Sequence, residues 1–469
     1  MASIHLFPVE LFTRTFLYLE VPVLICAAHV CKHWRELAFA CETYWNDITV
    51  ASVSPTALDL AEHRLSQGGS KPLRFTIRYT EYHKTADDPV LKRVIPLLRL
   101  AVPRAWHLGV TVESMYRLYV EEALCLEAPY LRSFWLKYHA EPIPDLPHLL
   151  PLAWDRKLFL GKTGRLRTVH LHNIVLPLTP TAAFQEVDEV WFMHTLGTLQ
   201  DEFPCYLFDF FPRARRLRMA GGNCAFSNAP LPAPVINLIR RLEWMDITFP
   251  LSSLPAFFEH LPLDDLEDLR VCSPDEDIIY RSLEPLLSYF HLDFLQHGPS
   301  DFILSIKGDN GGRVRRFAEP FCYYHKDAKD INVLLANREF MEQVTTLSIS
   351  VTLWTRLEPW LQPTYPLVSR LIITLNEDTP LTAKLPTIVI SFPRLASLVL
   401  QAANDYTVAY ADADDVVAFA SRVVTSGDVT LELRRTFVEG EKQRVLDHFS
   451  EVSYFPNAVR IGAPVVYVQ

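Results

Sequence analysis

Apolar side chains recur three to four residues apart through the amino-terminal stretch, and that spacing predicts three short helices. Leu11, Phe12, Thr15, Phe16 and Leu19 form the first stripe, with Pro8 suited to the opening helical position and Glu10 in the first turn. Pro22 breaks this run and opens a second helix carrying Leu24, Ala27, Ala28 and Cys31 on one side. Val30, Trp34, Leu37, Ala38 and Cys41 make the third stripe. Three helices this short cannot sink so many apolar side chains into one another. The surplus is expected against the rest of the chain or against a partner.

Beyond residue 50 the period changes repeatedly. A helix is expected over 55–67, ended by Gly68-Gly69, then a strand over 73–77, a polar loop over 80–89, a helix over 90–102 and a strand over 106–112. From residue 128 an apolar-x-x-apolar-x-apolar template recurs, beginning at Leu131, Leu166, Val187, Ala214, Ile239, Leu266, Val344, Val368 and Leu395. Pro129, Pro212, Pro366 and Pro393 stand two residues before four of these starts, where proline closes one segment before a strand opens. The long gap between Leu266 and Val344 is expected to hold irregular units around Leu304-Ser305-Ile306, or an inserted loop near Gly308–Gly312. Towards the carboxyl terminus a helix is expected from Asp412 to Val424, a strand over Thr430–Leu433, a helix over Glu441–Phe449 and a last strand over Val459–Ile461.

The residues Leu6, Pro8, Glu10, Leu11, Phe16, Leu19, Leu24, Val30, Cys31, Trp34, Arg35, Leu37 and Ala38, in this order and spacing, resemble the F-box. Val23 stands where that family usually carries an aspartate, which removes a polar helix-start residue worth about 1 kcal/mol. Trp45-Asn46-Asp47-Ile48, a following helix and Pro72-Leu73-Arg74-Phe75 are similar to the large F-box families of fungi. The later template resembles a degenerate leucine-rich repeat, whose asparagine or cysteine position is met once, at Asn376. The resemblances imply an α/β chain: an F-box at 4–48, a helix/strand connector with the first irregular repeats at 49–127, and a leucine-rich-repeat-like solenoid with a curved parallel sheet at 128–469.

Composition narrows the function. Apolar residues make up 49% of 469, enough for a large core, and the formal net charge is −10 with no long Lys/Arg run, so a nucleic-acid partner is not expected. Eight scattered cysteines without a C-x-x-C pair fit a reducing compartment. No signal-peptide pattern and no membrane-length apolar run are present, so the expectation is a soluble protein of the cytoplasm or nucleus, without a membrane partner.

Catalytic and metal motifs fail. Gly161-Lys162-Thr163 lacks the upstream glycine of a phosphate loop, since Arg156 stands there, and reads as a turn. His29, Cys31 and His33 lack a fourth ligand. His170 and His172 alternate along a strand, so both leave the same sheet face, as solvated or binding side chains. No catalytic residue, metal or cofactor is expected. On the same alternation Trp135, Lys137, Trp191, Met193, Arg216, Arg218, Met245 and Arg270 are expected on one open face, as types enriched at interfaces, the alternative being that outer loops or an adjacent element cover the tryptophans. The F-box resemblance implies a non-catalytic substrate-recognition subunit of an SCF-type ubiquitin ligase. It would dock on a Skp-type adaptor, and through it a cullin, by Leu6, Pro8, Glu10, Leu11, Phe16, Leu19, Leu24, Val30, Cys31, Trp34 and Leu37, and hold a protein target on the open face. The alternatives are a scaffold that binds the adaptor outside any ligase, and an enzyme whose site would show as a deep pocket of convergent titratable groups.

Overall fold

The structure, a computed structural model, describes residues 9–80, 88–139, 158–174, 176, 179–194, 206–221, 229–249, 254–272, 274–286, 289–296, 302–309, 312–319, 334–357, 359, 361–375, 381, 389–403, 407–423 and 428–456. The chain is α/β and divides into two compact units, Met1–Leu242 and Glu243–Gln469.

The first unit opens with helices α1 (Val9–Leu17), α2 (Val21–Ala28), α3 (Lys32–Ala40) and α4 (Glu42–Asn46). Seven strands follow: β1 (Asp47–Val50), β2 (Leu73–Arg78), β3 (Ala105–Glu113), β4 (Ser133–His139), β5 (Thr168–His172), β6 (Glu189–His194) and β7 (Arg216–Gly221). Each pairs in parallel with the next along the chain. Helices α5 (Pro55–Gln67), α6 (Ile95–Ala101) and α7 (Arg117–Ala123) connect the early strands, whereas short turns at Leu158–Gly161 and Ala182–Phe184 precede β5 and β6. Strand β4 shows why the sheet has one core face. Phe134, Leu136 and Tyr138 are buried, while Trp135, Lys137 and His139 between them are half-buried on the other side. The register sets Phe134 beside Val169, Val190 and Leu217, and Leu136 beside Leu171, Phe192 and Met219, so the core rows run straight across four strands.

Polar side chains tie these layers, in a chain whose sequence lacks the asparagine ladder of ordinary leucine-rich repeats. Asn173, just past β5, takes a left-handed φ of 58°; its amide donates to the Tyr138 carbonyl at 3.1 Å and its backbone N–H to the Met193 carbonyl at 2.8 Å. It lies two residues after the last template position, not three; Asn376 lies outside the described residues. Arg64 of α5 is buried and donates to the carbonyls of Tyr44 and Asp47, both at 2.6 Å, fixing the end of α4 to the helix beyond β1.

The second unit carries β8 (Trp244–Thr248), β9 (Asp268–Cys272), β10 (Phe290–Gln296), β11 (Phe302–Gly308), β12 (Val314–Glu319), β13 (Val344–Ser350), β14 (Arg370–Leu375), β15 (Ser397–Ala402), β16 (Ala409–Asp412), β17 (Thr430–Arg434), β18 (Thr436–Glu439) and β19 (Glu451–Phe455). Its main sheet departs from the expected all-parallel order. Strands β10, β11 and β12 form a meander in which β11 is antiparallel to both neighbours, while β12 pairs in parallel with β9 and β10 with β13. The reason is connection length: the link from Gly308 to Val314 is a hairpin, closed by Gly308 N–H on the Arg313 carbonyl at 3.3 Å, and so short a link permits only an antiparallel partner. Parallel order then resumes from β13 through β14, β15, β17 and β19, with β16 and β18 as a separate parallel pair. The strand expected at Val459–Ile461 lies outside the described residues.

Arg315 of β12 points into this core and is fully buried. It donates to the carbonyls of Ser282 at 3.0 Å, Leu266 at 3.1 Å and Leu263 at 2.8 Å, gathering a helix end and the turn before β9 onto one guanidinium. Burial lowers its pKa to about 10, so it stays charged at neutral pH.

Candidate docking surfaces

The first three helices, joined by Tyr44 of α4, build a core from Phe16, Leu24, Ala27, Ala28, Ala38, Cys41 and Tyr44. Phe12 and Trp34 close it: Trp34 lies 5.6 Å from the Phe16 ring, edge-on, and 5.8 Å from Phe12. Cys31 caps α3, its Sγ accepting from Trp34 N–H at 3.5 Å, and Arg35 donates to the Ala28 carbonyl at the end of α2 at 3.0 Å. Helix α2 starts without a side-chain cap, but its N-cap residue is Glu20; Val23, expected at the helix start, is the third residue inside the helix, a correction to the expected loss of a cap there.

This core changes the expected docking residues. Phe16 and Leu24 are 2% and 0% exposed, consumed by the module itself, and Leu19, Trp34 and Leu37 pack against it half-buried. Leu11 and Val30 are exposed, Glu10 lies exposed in the first turn of α1, and Leu6 and Pro8 lie outside the described residues. Leu17, Tyr18, Val23 and Phe39, which sequence reasoning passed over, join Leu11 and Val30 at the surface. Six of the twenty exposed large apolar side chains among the described residues therefore fall between residues 11 and 39. An equal number, Leu100, Trp106, Met115, Leu118, Tyr119 and Tyr130, are exposed between residues 100 and 130.

A second surface is the open face of β2–β7. One register row aligns Thr76, Gly109, Trp135, His170, Trp191 and Arg218. Within it the rings of Trp135, His170 and Trp191 stack, with centroids 4.3 and 4.2 Å apart and interplanar angles of 16° and 20°, and the Arg218 guanidinium lies 4.9 Å over Trp191. The Trp191 indole N–H donates to Glu189 Oε1 at 2.9 Å. His107, in the preceding row, pairs through Nδ1 with Ser133 Oγ at 3.1 Å. Burial, then nearby groups, lower His170 to about 3 and His107 to about 4, so both are neutral at pH 7. Sequence alternation placed Trp135, Lys137, Trp191, Met193, Arg216 and Arg218 on this face correctly; the stack depends on cross-strand register, which the sequence does not display.

The remaining two expected face residues belong to the second unit and fall differently. Met245 is wholly buried beside Leu269, a correction: Leu242-x-x-Met245-x-Ile247 is the working template, and the overlapping match at Ile239 shifts the alternation by one. The outward positions of β8 are Trp244 and Asp246. Arg270 does leave the core face but is only 9% exposed, 3.7 Å from the buried Asp246 carboxylate. Arg316 pairs in the same way with Asp268, whose carboxyl burial raises above its usual value.

Other constellations are structural. Gly161 sits at φ 71° in a left-handed turn, Lys162 pairs with Glu127 at 2.5 Å and the Thr163 hydroxyl donates to the Ala183 carbonyl. Among the described residues no group of three His, Cys, Asp or Glu side chains is placed to hold a metal, and no helix is long and apolar enough to cross a membrane. A narrow crevice lined by Leu207, Phe208, Phe211, Ala214, Leu217 and Leu238 contains no titratable group. No protein-family model matches this chain, and no curated protein matches it.

Proposed function

We propose that the chain is a non-catalytic target-recognition subunit of an SCF-type ubiquitin ligase. Its amino-terminal helices act as an F-box on a Skp-type adaptor, and its strand-rich body, in the manner of an irregular leucine-rich repeat, holds a protein target. The observation that carries the reading is an amino-terminal helical module with a complete core that still presents Leu11, Leu17, Tyr18, Val23, Val30 and Phe39 outward. Covering six half-exposed side chains contributes on the order of 4.5–9 kcal/mol before association costs, enough for a specific partner. The chain's part in ubiquitin transfer is then proximity: the target is held near the charged ubiquitin, raising its effective concentration. Reconstitution with adaptor, cullin and a RING subunit tests this. Recruitment of cullin and ubiquitin transfer are expected; adaptor binding without cullin recruitment would favour a scaffold instead.

A further inference from the structure

We infer that the open face of β2–β7 binds an acidic, extended peptide segment laid across the strands along the Trp135–His170–Trp191 stack. The inference rests on the reading above in taking this face as the target site, and it adds the chemistry of the target.

The charge pattern comes first. The whole chain carries a formal charge of −10, yet the outward positions of β2–β7 hold Arg74, Arg78, Lys137, Arg216 and Arg218 against Glu113 and Glu189. Glu189 is engaged by the Trp191 indole, and Glu113 is buried. The histidines beside these cations register the same positive field. His107 is lowered by burial and then by Arg74 and Arg78, and His139 by burial and then by Lys137; His170 is lowered by burial, then by His107, itself neutral at pH 7, and then by the cation Arg218. A net-negative molecule with one net-positive strand face selects acidic partners for that face.

The rings decide between classes of acidic partner. Nucleic-acid platforms work by offering ring faces for bases to stack on. Here both faces of His170 are covered at 4.2–4.3 Å, and each indole gives one face to it; the other face of Trp191 lies under Arg218. What points outward is a row of ring edges, the electropositive part of an aromatic quadrupole, suited to carboxylates and peptide carbonyls. Arg78 and Lys137 flank the row on one side and Arg216 on the other, where Arg74 is paired with Asp47 of β1 at 3.9 Å. Six strands at about 4.8 Å spacing span about 24 Å, the length of about seven extended residues.

The test is fluorescence anisotropy with the full chain, without adaptor, so that failure here and failure of adaptor docking are seen separately. The probes are labelled octapeptides of alternating glutamate and valine or of alternating lysine and valine, and a labelled single-stranded DNA octamer. The acidic peptide is expected to bind, the basic one not, and Lys137→Glu with Arg216→Glu to weaken binding about tenfold. A charge-matched control, Lys92→Glu with Arg99→Glu on the helical side, is expected to leave it within about twofold. The inference is overturned if the acidic peptide does not bind, if both double variants weaken it equally, or if the DNA octamer binds more tightly than the peptide.

Discussion

Acid should loosen the first unit through its buried imidazoles, His170 most of all. In the folded chain its imidazole lies between two indoles and takes up a proton only near pH 3, whereas the unfolded chain takes it up near 6.5. The folded-state value is the lower one, so the unfolded state binds the proton first and stability falls as pH drops below about 6.5, levelling out below about 3. At 1.36 kcal/mol per pH unit, lowering the pH from 7 to 4 removes up to about 3 kcal/mol through this residue. The assay is urea unfolding followed by tryptophan fluorescence at pH 7, 5.5 and 4.5, for the natural chain and for His170→Phe, which keeps a flat ring in the stack and cannot titrate. Carboxylates contribute alike to both, so the difference isolates His170. The variant should lose less stability on acidification; an identical pH slope in the two proteins would refute the buried, neutral imidazole.

Three further outcomes follow from the packing. Arg315→Met strands the Leu263, Leu266 and Ser282 carbonyls in the second unit and should cost about 3–5 kcal/mol in denaturant unfolding, a change under about 1 kcal/mol counting against the clamp. Trp34→Ala should destabilise the amino-terminal helices by about 2–3 kcal/mol, read as faster proteolysis there, because the indole closes their core. Gly164→Ala should prevent native packing, since a Cβ there would lie 1.8 Å from the Pro129 carbonyl oxygen; native-like circular dichroism and melting would contradict the close approach.

The sequence made the strands legible where one rule governed them. Strands β4–β7, β9 and β13–β15 each place two template residues inward, and their apolar spacing alone located them. The rule failed at β8, where Ile239 and Leu242 both satisfy the template and only packing chooses, so Met245 was set outside when it lies inside. The meander β10–β12 was illegible because an antiparallel insertion carries the same alternation as a parallel strand; the hairpin length at Gly308–Val314 was the available signal. In the helices, apolar period revealed the three-helix module but not its division of labour. Phe16 and Val30 look alike in the apolar spacing, yet one is 2% and the other 64% exposed, because Val30 falls in the turn between α2 and α3 and not on a helix face. The stack was half visible: His170 and His172 were read off one face, but chain spacing does not say that His170 lands between Trp135 and Trp191.

The central claim is that the exposed apolar surface of the first three helices receives a second polypeptide. It is tested most directly by co-purification of the full chain with a Skp-type adaptor, comparing the natural sequence with Leu11→Glu and Val30→Glu combined. Both side chains are exposed, so unfolding should shift by less than about 0.5 kcal/mol while adaptor binding is lost. Absence of adaptor binding by the natural chain, or undiminished binding by the folded double variant, would contradict the account.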